Sequence, residues 1–194
     1  MSRPHLQIIV GSTRPGRRGH AVATWIHDLA VQHAGFEVRL VDLAEVALPL
    51  LDEPRPPQRG QYDHEHTRRW SAIASAAEAY VFVVPEYNHS YNAATKNALD
   101  YLAKEWTGKP VAFVGYGGVA AGARAVQALL PVVCALGMLP VTRSVNIPFI
   151  RQTVNRDGVF EPAPGLDENA TGVIDELLRL TTALSAARLA APAG

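Results

Sequence analysis

Leu6-Gln7-Ile8-Ile9-Val10-Gly11-Ser12-Thr13-Arg14-Pro15-Gly16-Arg17-Arg18-Gly19-His20 holds the change of period that decides the fold. An apolar, β-branched run ends at Val10, a loop of glycines and arginines follows, and a helical pattern continues through residues 21–33. A strand that turns straight into a helix is the opening unit of a parallel α/β sheet. The unit recurs. Apolar runs stand at residues 36–41, 80–84 and 111–114, with a weaker one at 138–141. Helical patterns lie between or after them at residues 66–77, 93–104, 120–136 and 170 to about 189. Tyr80-Val81-Phe82-Val83-Val84 is apolar throughout, as a strand covered on both faces requires. The expectation is an α/β fold with a five-stranded parallel sheet and helices on both faces. Two doubly wound strand orders suit it, and both place ligands beyond the carboxyl ends of the strands.

The loop after the first strand reads as an anion site. Glycines expose backbone N–H groups, the helix start adds partial positive charge, and hydroxyl and guanidinium groups complete the donor set. Arg14, Arg17 and Arg18 crowd the turn, and no Asp or Glu lies between Gly11 and His27. Gly11 and Gly16 match the glycines of G-x-x-x-x-G-K-[ST], but Arg17 and Arg18 replace the lysine and the magnesium-binding hydroxyl, so the parts that handle a triphosphate are missing. A terminal monophosphate suits this loop. An exposed basic turn is the plainer alternative, but such turns seldom sit between a buried strand and a helix.

At the end of the third strand comes Pro85-Glu86-Tyr87-Asn88-His89-Ser90-Tyr91-Asn92. Such a mixture offers a planar heterocycle an aromatic wall and backbone or amide groups for its edge. Glu86 reads as a loop carboxylate making structural hydrogen bonds, or offering its backbone to a ring, before it reads as a general acid or base.

The rest of the chain sets limits. With 194 residues, 48% of them hydrophobic and 19% charged, the expectation is a single domain over residues 1–194 with its core at about 5–185. A chain of this length buries roughly 70% of the surface it exposes unfolded. Lys plus Arg and Asp plus Glu each total 18, so overall charge draws the chain neither to nucleic acid nor to membrane. No apolar run suits a signal peptide or a transmembrane helix, and the cytoplasm is the expected address. Cys134, the one cysteine, lies in an apolar run and reads as a buried core thiol. Residues 48–62 and 146–167 read as long surface loops, and the Ala-rich tail 186–194 as fraying. His64-Glu65-His66 reads as a solvated helix start, because ligands two apart do not share a helix face; no metal site is expected.

Taken together, Gly11-Ser12-Thr13-Arg14-Pro15-Gly16-Arg17, Pro85-Glu86-Tyr87-Asn88, Lys96-Asn97-Ala98-Leu99-Asp100 and Gly108-Lys109-Pro110-Val111 resemble the NADPH-dependent FMN reductase family over about residues 8–140. That family includes quinone, azo-dye and chromate reductases. The resemblance implies a flavodoxin-like three-layer sandwich with strand order 2-1-3-4-5. It implies bound FMN, with NADPH or NADH as electron donor. Hydride or electrons would pass by a ping-pong cycle to quinones, free flavin, azo dyes or metal oxyanions. Carried over by position, Ser12, Arg14 and the turn Arg17 to Gly19 contact the FMN phosphate. Pro85, Glu86, Tyr87 and Asn88 run beside the isoalloxazine, and Tyr116, Gly117 and Gly118 close its other side. No residue is assigned as catalytic, since the flavin carries the chemistry, and a homodimer or homotetramer is implied.

Two other readings compete. Gly115-Tyr116-Gly117-Gly118-Val119-Ala120 approximates a dinucleotide fingerprint, but residues 119–155 contain no Asp or Glu to meet a ribose. An FMN-holding electron carrier is the second alternative; carriers of that type are strongly acidic, whereas this chain is balanced.

Overall fold

The structure, a computed structural model, describes residues 3–190. Strands β1 (His5–Val10), β2 (Glu37–Asp42), β3 (Ala79–Pro85) and β4 (Pro110–Tyr116) pair in parallel. The short β5 (Leu139–Pro140) and β6 (Val145–Ile147) both pair with β4, so the order runs β2-β1-β3-β4-β5 with β6 alongside. This is the flavodoxin-like order. Helices α1 (Gly19–His33) and α7 (Leu166–Ala190) pack on one face, while α3 (Glu65–Ser75), α4 (Ala93–Asp100) and α5 (Ala123–Ala135) pack on the other. Shorter turns of helix, α2 (Leu43–Val46) and α6 (Ile150–Thr153), follow β2 and β6.

The continuous apolar strands resolve into two cores because successive side chains point to opposite faces. Ile8, Val10, Val81 and Val83 pack with Val22 and Ile26 of α1 and Ile174 of α7. Ile9, Phe82, Val84 and Phe113 pack with Trp70, Leu99, Trp106 and Leu129. Trp70, Trp106, Tyr80 and Phe82 form a contiguous aromatic cluster with ring centroids 5.1–6.3 Å apart. The indole N–H groups of Trp70 and Trp106 donate to the carbonyls of Ala98 and Leu99, so neither buried ring leaves a donor unpaired.

Several elements depart from expectation. The fifth strand is split: three steps along β4, from Val111 to Val114, match five along its partner, from Pro140 to Val145. The extra length bulges out and returns as β6, which places an ordered strand and helix α6 where a surface loop is expected. Helix α4 stops at Asp100 because the chain turns beneath it to bury Tyr101, Leu102 and Trp106. Helix α5 starts only after Gly122, which has φ +79°. Cys134 is exposed, which corrects the buried thiol: it follows Val133, which takes the core-facing position on α5. The tail expected to fray extends α7 as far as Ala190, and residues 191–194 lie outside the described residues.

The loop 48–62 is tied down at several points. The Asn97 amide donates to the Pro49 carbonyl and accepts from Leu51 N–H, and Tyr62 hydroxyl donates to buried Glu105. Asp52 accepts from Tyr101 hydroxyl and pairs with His66, on which His64 stacks. The two histidines therefore clasp this loop rather than meeting only solvent. Burial and then the hydrogen bond to Asp52 push the Tyr101 phenol up to about 12. Among the described residues no helix is long and apolar enough to cross a membrane.

Phe82→Ala removes a fully buried ring from the aromatic cluster. It is expected to destabilise the fold by about 3–5 kcal/mol, measured as the shift in urea unfolding midpoint.

Candidate functional site

The site begins where β1 ends. Gly11 N–H donates to the Val83 carbonyl of the neighbouring strand, and the Asn92 side-chain amide donates to the Gly11 carbonyl at 2.6 Å. Asn92 stands at the N-cap position of α4 but uses its amide on the first loop instead of its own helix. Its side-chain oxygen accepts from Thr95 hydroxyl. A Cβ at Gly11 would lie 2.4 Å from that hydroxyl, so glycine is required for this approach. The loops after β1 and β3 are thereby locked together.

Three hydroxyls meet above Gly11. Buried Ser12 hydrogen-bonds Tyr87 at 3.2 Å and also pairs with the Tyr116 hydroxyl. Burial holds the Tyr116 phenol above its ordinary range. Gly19, the first residue of α1, makes room for it: a Cβ there would lie 2.3 Å from Tyr116 Oη. Gly19 therefore supports the site by packing and does not line it.

The loop cations divide into two kinds. Arg17 forms an ion pair with Asp42, whose other carboxylate oxygen accepts from Ala44 N–H and caps α2. The Arg14 and Arg18 guanidiniums have no hydrogen-bond or ion-pair partner among the described residues, and with Arg17 they line a cavity of about 260 Å³ together with Ser12, Gly16, Tyr87 and Tyr116. An adjoining cleft of about 430 Å³ shares Arg14, Tyr87 and Tyr116 and continues along Pro85, Glu86, Gly117 and Gly118. A third cavity, about 480 Å³, is an apolar groove between α2 and α4 that contains none of these cations.

Glu86 does what the structural reading expects. Its carboxylate accepts from the Nε and backbone N–H of Arg124 at the start of α5. Arg124 also donates to His89. Tyr87 and Ser90 exchange both backbone hydrogen bonds across a two-residue turn in which Asn88 and His89 have positive φ, the geometry of a tight hairpin. This leaves Asn88 exposed at the tip, outside the lining of either cavity.

The far wall is the part that local sequence did not signal. Gly117 N–H donates to the Ile147 carbonyl, and Phe149 and Ile150 N–H groups donate to the carbonyls of Gly118 and Gly117. These bonds stitch the loop after β4 to the segment between β6 and α6, bringing Phe149, Ile150 and Arg151 to the cleft. No motif marks these residues; the split fifth strand delivers them.

A parallel sheet of this order, with an arginine-lined anion cavity opening into a ring-sized cleft at its carboxyl edge, defines a flavodoxin-like protein built for a phosphorylated planar cofactor. The NADPH-dependent FMN reductase family model matches residues 4–152, and the chain belongs to that family of oxidoreductases. The NAD(P)H-dependent FMN reductase of Schizosaccharomyces pombe is 37% identical, over 82% of this chain and 80% of that protein. An NADPH azoreductase of a Bacillus species is 30% identical, over 90% of this chain and 88% of its own length. Among solved structures, the flavoenzyme NAD(P)H:acceptor oxidoreductase FerB of Paracoccus denitrificans superposes with a TM-score of 0.73 at 21% identity, covering 93% of this chain and 98% of that one.

The donor set fits FMN. Unpaired guanidiniums, a cluster of hydroxyls in which Ser12 and Tyr116 are buried, and the α1 N-terminus suit a phosphate, and Tyr87, Pro85 and the backbone at Gly117 and Gly118 suit a flat ring.

Gly19→Ala should lower stability by about 1–3 kcal/mol, because a methyl there overlaps the Tyr116 hydroxyl. Gly19→Ala combined with Tyr116→Phe should recover part of that loss; thermal melts of the two variants read it, and an equal or larger loss in the double variant would contradict the contact.

Proposed function

We propose that this chain is an FMN-dependent NAD(P)H oxidoreductase, acting as one FMN-binding domain, that reduces small acceptors of the quinone, free-flavin, azo-dye or metal-oxyanion class. The observation that carries this reading is the continuity of the anion cavity with the cleft through Arg14, Tyr87 and Tyr116.

In this reading Ser12, Arg14 and Arg18 hold the phosphate, with Tyr116 as a neutral hydroxyl donor beside them. Pro85, Glu86 and Tyr87 form one wall of the ring site through backbone and aromatic surface, and Tyr116, Gly117 and Gly118 form the other. Arg17 ties the loop to Asp42, and Gly19 lets Tyr116 approach. Bound FMN supplies the hydride and electron transfer itself. The chain's task is to position the rings and keep donor and acceptor on one open face in turn, which makes the cycle ping-pong. Glu86, committed to Arg124, is not available as a proton donor, so no side chain is assigned a catalytic role.

The alternative, an electron carrier, is disfavoured by the balance of 18 basic and 18 acidic residues. Steady NADPH oxidation with a quinone supports the enzyme; a bound flavin that NADPH does not reduce supports the carrier. Association into a homodimer or homotetramer is also proposed. Leu50, 81% exposed, stands beside the apolar groove that Leu43, Leu48 and Ala98 line, and light scattering on the purified protein reads the state.

Arg14→Ala should keep the fold and weaken FMN binding by about 1.5–3 kcal/mol, roughly ten- to a hundredfold in Kd. Flavin fluorescence titration measures it, and an unchanged Kd would sink the phosphate assignment.

A further inference from the structure

We propose that Arg151, a residue of α6 outside the glycine-rich loop, is a further phosphate-binding guanidinium of this site beside Arg14 and Arg18, filling the role that position assigns to Arg17. The inference rests on the reading of the cleft as an FMN site.

Arg17 also lines the cavity, but its guanidinium is already engaged. One edge of its guanidinium is held by Asp42, whose side chain is only 4% exposed, and its Nε is shut off from solvent without a partner among the described residues. A guanidinium held this way acts as a strut between the loop and the end of β2. Its charge is already balanced by a carboxylate.

Arg151 has the opposite character. It lines both the anion cavity and the ring cleft, as Arg14 does. Its side chain is exposed and has no hydrogen-bond or ion-pair partner among the described residues. Its base is nevertheless firmly anchored: Phe149 N–H bonds the Gly118 carbonyl at 3.1 Å and Ile150 N–H bonds the Gly117 carbonyl at 3.0 Å. Glu86, the carboxylate of the cleft, is engaged by Arg124. Three unneutralised guanidiniums, Arg14, Arg18 and Arg151, therefore line one concave space, and they repel one another unless an anion lies among them. A phosphate monoester, with a charge of about −1.5 to −2 and three acceptor oxygens, satisfies these forks at once. The bulge between β5 and β6 is what carries this cation across the sheet edge to a loop about 140 positions away in sequence.

The test compares FMN with riboflavin, which has the same ring and no phosphate. Full-length chain freed of flavin, with its fold checked by circular dichroism, is titrated with each by fluorescence. Arg151→Gln should raise the FMN Kd roughly ten- to a hundredfold and leave the riboflavin Kd unchanged, with Arg151→Lys in between because it keeps the charge and loses the fork. Arg17→Gln should lower the melting temperature while keeping the ratio of the two Kd values near that of the parent chain. An unchanged ratio in Arg151→Gln overturns the proposal, and a rise confined to KM for NADPH relative to NADH overturns it in favour of the donor's phosphate. A parent chain that binds FMN no better than riboflavin, or neither, overturns the FMN reading itself.

Discussion

Gly11 is the point on which the site depends. Its N–H is bound to β3 through Val83, its carbonyl to α4 through Asn92, and its missing side chain leaves room for Thr95. These contacts make the loops after β1 and β3 a single unit, so the arginine-lined cavity and the adjoining cleft hold a fixed relation. A ligand spanning both does not have to order them first, which lowers the entropic cost of binding. The same principle operates on the far side, where backbone bonds between residues 117–118 and 147–150 join the third loop to the split edge strand. The cleft is open, but its walls are braced by hydrogen bonds that do not involve the ligand.

Charge is distributed with the same economy. The chain is balanced overall, yet its acids near the site are all engaged: Asp42 with Arg17 and the α2 cap, Glu86 with Arg124. Each such pair positions a backbone segment. Arg14, Arg18 and Arg151 are left without partners in a small volume, at the N-terminus of a helix whose first turn holds no acid. The local field is therefore positive even though the protein is neutral, and it is the local field that selects a bound anion. Membership of the FMN reductase family, similarity to FMN reductases and an azoreductase, and the geometry of the cleft converge on one class of chemistry.

Much of this was legible in local pattern. The change from an apolar run to a glycine-rich turn and then a helical period identified the parallel sheet and its ligand edge, because strand, turn and helix are each encoded by neighbouring residues. Ser12, Arg14 and Tyr87 were legible for the same reason: they follow strand ends, where the sheet order brings loops together, whereas Tyr116, the last residue of β4, was reached only through the family resemblance. Gly19 and Asn88 were marked as contacts through position in a motif, and both sit beside the lining, one packing Tyr116 and the other turning a hairpin.

What only the tertiary structure decided involves partners far apart in the chain. Residues 146–167 carry Pro and Gly and read as loop, since a three-residue strand such as Val145–Ile147 has too few residues to show a period and is stabilised by β4 alone. Arg151 enters the cleft through that pairing, and Arg17 pairs with Asp42 because β2 ends beside the first loop. Cys134 lies in an apolar run, but helix α5 buries one stripe and turns the thiol outward. The sequence by itself determined a parallel sheet and the sign of charge at its ligand edge, which local periodicity and composition encode, whereas the strand order was chosen between two only by the family resemblance and is fixed by the pairing of distant strands. Which guanidinium is free to meet an anion depended on long-range packing, because an ion pair is set by the distance between side chains in space and not along the chain.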